Sequence, residues 1–234
     1  MNINQAITEA TDLLKKNNIK SSKLDSEILM SKAIQKQREY VMLNLDKPLQ
    51  NESYNYFKSL IKERSYGKPI AYIIEKKEFW KYEFKVFDGV LIPRPDTEII
   101  VEQVLKLTKN KLKLNVLDIG VGSGCLLLSI LKEKKNFYGT GIDISQKCLN
   151  ISKINANKLG LENRVKFFKS DVDNFNYDKY DLIISNPPYI NKLDLKYLER
   201  DVYAFEPKKA LDGGLDGLSE IRKVIKKSSE LIKK

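Results

Sequence analysis

From Lys113 onward this 234-residue chain alternates strand-like with helix-like runs, and no other feature limits its fold as much. The stretches Asn115 to Ile119, Phe137 to Ile142, Arg164 to Lys169 and Tyr180 to Ser185 are rich in β-branched and aromatic residues and read as strands. Helical runs at about 125–135 and 145–159 separate the first three, in an order β–α–β–α–β–α–β. Parallel neighbours need a crossover of helical length, so the alternation predicts an α/β fold with a parallel, doubly wound sheet. Ligands of such sheets bind in the crevice beyond the carboxyl ends of the strands. No internal repeat appears, and Lys-rich clusters such as Lys132 to Lys135 read as solvated helix ends.

The preceding residues carry a different pattern. Ile3, Ile7, Ala10, Leu13 and Leu14 keep helical spacing until Asn17-Asn18, and Leu24, Ile28, Leu29 and Ile34 do so after the capping candidates Ser21 and Ser22. A third helix spans about 52–66, with Tyr54, Phe57, Leu60 and Ile61 on one face and Gly67 as its stop. Helices this short are not stable alone, so residues 1–75 are expected to form a small helical bundle. After Pro69 the character changes. Phe79-Trp80, Phe84 to Phe87 and Val90 to Ile92, with Asp88-Gly89 between the last two, give a β-hairpin signal. Residues 76–95 therefore read as a β-hairpin connector that Pro93 and Pro95 end, and Asp96 or Thr97 can cap a helix through about Lys109. Residues 96–234 make the α/β domain.

Composition excludes several classes of function. No apolar run approaches the roughly 18 to 20 residues that span a bilayer, and Asn2, Glu9 and Asp12 interrupt the N-terminus too often for a signal peptide. Cys125 and Cys148, both within predicted helices, are too few for a disulfide framework or a zinc site. The chain has no His, which argues against His-based acid–base chemistry and against a metal centre. A cytoplasmic protein is the expectation. The net charge of +11 admits a polyanionic partner such as RNA, but the Lys/Asn/Ile bias is also what an A+T-rich genome produces.

The first constellation with chemistry in it is Val116-Leu117-Asp118-Ile119 followed by Gly120, Val121, Gly122, Ser123 and Gly124. A buried strand runs into a glycine-rich turn that opens a helix, so a ligand can approach the backbone closely. A dinucleotide fingerprint would need glycine where Cys125 stands. The G-x-G-x-G spacing resembles instead the S-adenosyl-L-methionine loop of class I methyltransferases, whose sheet is Rossmann-like. Asp143 ends the next strand 143 − 124 = 19 residues after Gly124, close to the spacing at which an acid meets a ribose. Its alternative role is to cap the helix that begins near Ser145. Asp171 and Val172, after the third strand, stand where this superfamily holds the adenine ring; a turn aspartate is the other reading of Asp171.

Ser185-Asn186-Pro187-Pro188-Tyr189 leaves the fourth strand. Two prolines fix φ and remove two donors, so the chain can neither extend the sheet nor start a helix. Methylating a planar NH₂ group requires that it be held in line with the methyl donor while its protons are accepted. The Asn186 oxygen and the Pro187 carbonyl can each accept one N–H, and Tyr189 can pack on the flat face.

Asn-Pro-Pro-Tyr is shared by methyltransferases acting on exocyclic amines of nucleic-acid bases and by those acting on protein glutamine. Glu78 to Val86, Leu91-Ile92-Pro93-Arg94-Pro95-Asp96-Thr97-Glu98, and Glu206-Pro207 with Ala210 to Leu218 resemble segments of the release factor glutamine methyltransferases. The resemblance covers essentially the whole chain. It implies S-adenosyl-L-methionine at Gly120 to Gly124, Asp143, Val172 and Asn186, and a substrate glutamine at Asn186 to Tyr189. That glutamine belongs to the Gly-Gly-Gln tip of peptide chain release factors, which the N-terminal domain would dock. Glu78 to Val86 corresponds to the family's hairpin, where Lys81 departs from a usual glycine, and Val172 departs from a frequent aromatic residue. The family continues with further strands beyond Lys234, so the methyltransferase domain reads as incomplete and Tyr180 to Ser185 as an uncovered edge. Two other readings compete: a methyltransferase of exocyclic amino groups in RNA or DNA, and a shortened, non-catalytic relative that binds release factors.

Overall fold

Apolar stripes at helical spacing build the first of two compact units. The computed structural model describes residues 1–233. In it Met1–Glu75 form five helices, α1 (Ile3–Lys16), α2 (Ser22–Ala33), α3 (Arg38–Leu43), α4 (Asn51–Ser65) and α5 (Ile70–Ile74). A capping box between Asn2 and Gln5 starts α1. Ile7 and Leu14 of α1, Leu29 and Met30 of α2, Val41 of α3 and Phe57 and Ile61 of α4 share one core. Inside it the Arg64 guanidinium meets the Asp25 carboxylate at 2.7 Å, both nearly inaccessible. Ser21 does not cap α2; its hydroxyl donates to Asp25 instead. Gly67, at φ +96°, ends α4 as expected. The short helix numbered α9 below, Arg200–Phe205, belongs to this unit, against Gly67.

The second unit, Lys76–Glu199 with Glu206–Lys234, opens on an antiparallel hairpin of β1 (Lys76–Phe79) and β2 (Tyr82–Lys85). The turn falls at Trp80-Lys81, with Trp80 at φ +57°, inside the Glu78 to Val86 stretch that the resemblance marks as a hairpin, and not at the local turn signal Asp88-Gly89. Phe79 and Phe84 decide the matter. They face one core edge-to-face at 6.2 Å, and pairing 76–79 with 82–85 buries both. Residues 87–90 form a separate turn, and Val90 to Ile92 join no strand. After a 3₁₀ turn at Pro95–Thr97 comes α6 (Glu98–Leu107), two residues shorter than expected.

The sheet follows: β3 (Asn115–Ile119), α7 (Cys125–Glu133), β4 (Tyr138–Asp143), α8 (Gln146–Lys158), β5 (Val165–Lys169) and β6 (Leu182–Ser185). All four strands are parallel, in the order β5-β4-β3-β6, with Leu117 between Thr140 and Ile183. Successive residues of a strand face opposite ways. Val116 accordingly packs with Leu127, Leu131 and Phe84, and Leu117 with Ile142, Phe175 and Leu231 on the other face.

The β–α–β alternation stops short of its third helix. Residues 170–181 cross from β5 to β6 as a loop, in which Asp171 and Asp178 bond to nearby backbone N–H groups. Such local bonds compete with helix formation. The remaining helices are α9 (Arg200–Phe205) and α10 (Ser219–Leu231). Beyond α10 the chain turns along β6: Tyr180 N–H donates to Leu231 O and Lys233 N–H to Tyr180 O, both at 2.9 Å. The outer edge expected to be bare is thus paired at Tyr180. Among the described residues no helix is long and apolar enough to cross a membrane.

Candidate active site

A cleft of about 850 Å³ opens at the carboxyl ends of β3, β4, β5 and β6. Its wall beside β3 is the glycine turn, pinned from several sides. Gly120 and Val121 both donate to Ile142 O at 2.9 Å. The Ser152 hydroxyl donates to Gly122 O and the buried Asn155 amide to Ser123 O. Asn155 also exchanges two hydrogen bonds with the Lys85 backbone, so the hairpin braces the same turn. Gly124, at φ +82°, is the joint with α7; a Cβ there would come within 2.9 Å of Leu128. At Gly120 a Cβ would meet nothing within 4 Å, so the turn presents open backbone. Gly120, Val121, Gly122 and Ser123 line the cleft, and Gly124 shapes it from behind.

Asp143 does two structural tasks. One oxygen accepts the Gly122 N–H at 3.0 Å and the other the Ser145 N–H at 2.8 Å. Ser145 itself caps α8. A carboxylate has about four lone-pair sites, and these two N–H groups do not use them all. Burial raises its pKa, against the pull of the two N–H groups. Val172 lines the cleft and packs into the core with Phe175; beside it Asp171 bonds to the Asp173 N–H, the turn role, while also facing the cleft.

Asp118 went unmarked in the sequence. It is buried on the cleft wall, where its carboxyl makes no close hydrogen bond and only the Leu127 backbone N–H draws on it. Burial first, and the Asp143 charge second, push its pKa up to about 7. The only sequence signal was an acid inside an otherwise apolar strand. Cys125 and Cys148 also reach the cleft, but burial pushes both thiols up to about 12, so neither is a thiolate at neutral pH.

Beyond β6, Ser185 donates to Ile119 O at 2.7 Å, holding the Asn186 loop beside the glycine turn. Asn186, Pro187 and Pro188 line the cleft; Tyr189 does not, and it is 63% exposed. The Asn186 amide donates to the Thr97 hydroxyl at 3.3 Å, so Thr97 serves here rather than as a cap for α6. Arg94 donates at 2.5 Å to Glu206, a buried carboxylate that also accepts the Ile92 N–H. Neither link could be read from spacing, because the partners lie 89 and 112 residues apart.

Family models match the chain over two stretches. Residues 5–74 match the PrmC N-terminal domain and residues 96–204 the methyltransferase small domain. The release factor glutamine methyltransferase of Buchnera aphidicola subsp. Acyrthosiphon pisum is 39% identical over 99% of this chain and 82% of its own length. That of Clostridium acetobutylicum is 38% identical over 100% of this chain and 83% of its own length. Among solved structures, a SAM-dependent methyltransferase from Geobacter sulfurreducens in complex with S-adenosyl-L-homocysteine shares 28% identity over 37% of this chain and 35% of that one, with a TM-score of 0.34. With identities near two-fifths across almost every residue of both chain segments, the chain belongs to the release factor glutamine methyltransferase family.

Proposed function

We propose that this chain transfers the methyl group of S-adenosyl-L-methionine to the side-chain amide nitrogen (N5) of the glutamine in the Gly-Gly-Gln motif of peptide chain release factors. One observation carries the reading: Asn186-Pro187-Pro188 enters the same cleft as the glycine turn and Asp143, with Asn186 tethered to Thr97.

The residues fit the cofactor. Open backbone at Gly120 admits close approach, Asp143 retains acceptors for ribose hydroxyls, and Val172 offers an apolar surface to the adenine. Asp118, a buried acid on the cleft wall, suits a cationic ligand once it is ionised. When bound, the cofactor supplies an electrophilic methyl on a sulfonium.

The protein's own part is orientation. Asn186 Oδ1 and the Pro187 carbonyl each accept a hydrogen bond from the amide NH₂, which aims the glutamine nitrogen at the methyl, and Tyr189 packs on the amide plane. The N–C bond forms as the methyl–sulfur bond breaks, S-adenosyl-L-homocysteine leaves, and the methylated nitrogen then gives up one proton to solvent. Placement of this kind supplies much of the barrier reduction without a strong base. Residues 1–75 form the docking unit for the release factor, a reading supported by the match of residues 5–74 to the PrmC N-terminal domain. Translation termination places the substrate, and with it the enzyme, in the cytoplasm.

The test is transfer of labelled methyl from S-adenosyl-L-methionine to a release factor, its Gly-Gly-Gln→Ala variant, RNA and DNA. Label on the parent factor alone is expected. Label on RNA or DNA instead, or cofactor binding with no transfer at all, would overturn the proposal.

A further inference from the structure

The Gly213-Gly214-Leu215-Asp216-Gly217 segment takes no part in the cleft chemistry described so far, yet it lies against the Asn186 loop. Ile190 donates to Leu211 O at 3.1 Å, Gly213 to Ile190 O at 2.8 Å and Lys192 to Gly214 O at 2.9 Å. Ile190 and Asp212 pair as a short parallel bridge. Two glycines close the contact. A Cβ on Gly213 would stand 2.8 Å from Tyr189 Cα, and one on Gly217 would stand 2.6 Å from Tyr189 O. Real Cβ atoms do not approach backbone so closely, and here the obstacle is main chain, which cannot swing aside. Gly217 also needs its positive φ of +75°.

Tyr189 itself is 63% exposed, so packing of its ring does not decide where it stands. Its backbone must, and that backbone is gripped by the glycine segment. We infer that Gly213 and Gly217 are positioning residues for methyl transfer: they clamp the Tyr189 main chain and so set the ring and the Pro187 carbonyl against the substrate amide. The inference rests on the glutamine-methyltransferase reading above. It assigns the segment to the substrate side of the site, away from the cofactor side, because the contacts run to Tyr189 and Ile190 and not to the glycine turn.

Gly217→Ala tests this, with Gly160→Ala as the control. Gly160 has a φ of +66° and open space around it, so its substitution carries the backbone strain without any clash at the site. Both variants should unfold at a lower temperature than the parent. Only Gly217→Ala should lose transfer to release factor, by roughly 10²-fold in kcat as expected for small misplacement at a reacting centre. Its affinity for S-adenosyl-L-methionine by calorimetry should stay within about two-fold, since uniform cofactor binding is untouched. In a Tyr189→Ala background the further cost of Gly217→Ala should shrink to a few-fold, because contacting residues are not additive. Gly213 does not occupy positive φ, so Gly213→Ala adds the clash without backbone strain and replaces Gly217→Ala should the latter fail to fold. Transfer by the Gly217 and Gly213 variants at the rate of Gly160→Ala, or equal loss of cofactor affinity and transfer, overturns the inference while the functional reading stands. A parent chain that methylates no release factor overturns both.

Discussion

The Asn186 amide nitrogen donates to the Thr97 hydroxyl across 3.3 Å, joining the loop after β6 to the turn that opens α6. Committing the donor end of the amide in this way leaves Oδ1 open to the cleft as the acceptor that the proposed reaction requires. Asn186→Ala removes that acceptor and should lower kcat on the order of 10²- to 10³-fold, with a much smaller change in cofactor affinity. Thr97→Val keeps the shape of the side chain and removes only the tether. It should cost less, on the order of ten-fold, and add nothing in an Asn186→Ala background. Single-turnover transfer to release factor measures both. Full activity in Asn186→Ala would remove that residue from the chemistry, and additive losses would make Thr97 an independent contributor.

Asp143→Ala should behave differently from either. Its carboxylate holds the Gly122 and Ser145 N–H groups as well as facing the cleft, so the loss falls on the cofactor pocket. Affinity for S-adenosyl-L-methionine should drop by roughly ten- to a hundred-fold, with kcat at saturating cofactor little changed, as when uniform binding is lost. Asp143→Asn retains one acceptor oxygen and should fall between. Unchanged affinity in both variants by calorimetry would confine Asp143 to bracing the turn.

Glu206→Ala probes the tie between two distant segments. Removing this buried carboxylate leaves the Arg94 guanidinium and the Ile92 N–H without their partner. Stranded groups of this kind cost on the order of 2 to 4 kcal/mol. Chemical denaturation should show a midpoint shift at constant slope. Glu206→Gln, which can still accept from Ile92, should recover part of the loss. No shift in either variant would mean that water replaces the carboxylate without cost.

How much of this was legible in the sequence depends on how local each feature is. The glycine turn, Asp143 and the Asn186 loop were readable because each follows its own strand, and the sheet's connectivity brings strand ends together. The tethers Thr97–Asn186 and Arg94–Glu206 were not, since periodicity carries nothing about partners 89 or 112 residues away. The hairpin lies where the resemblance of Glu78 to Val86 put it, while the local turn signal pointed further along the chain. Asp88-Gly89 is a strong turn signal, and a turn does form there, but burial of Phe79 and Phe84 chose a different pair of strands. The third crossover helix failed because Asp171 and Asp178 satisfy nearby backbone N–H groups within the loop.

Asp118 gives the chain a pH-dependent weakness. In the unfolded chain its carboxyl titrates at the ordinary value of 3.8, while in the fold burial and the neighbouring Asp143 raise it to about 7. Below the lower value the group is protonated in both states and costs nothing. Between the two values the unfolded chain releases its proton and the folded chain keeps it, so stability falls as pH rises through this window. Above about pH 7 both states are ionised and the penalty is constant, on the order of 4 kcal/mol. Asp118→Asn has nearly the same shape and cannot ionise, so it should escape this loss. Without cofactor, parent and variant should differ least near pH 4, diverge as pH rises, and hold a fixed gap from pH 7 to 9, with the variant the more stable. Thermal unfolding of both chains across that range is the measurement. A variant whose midpoint tracks the parent's in parallel at every pH would show that Asp118 carries no burial penalty in solution.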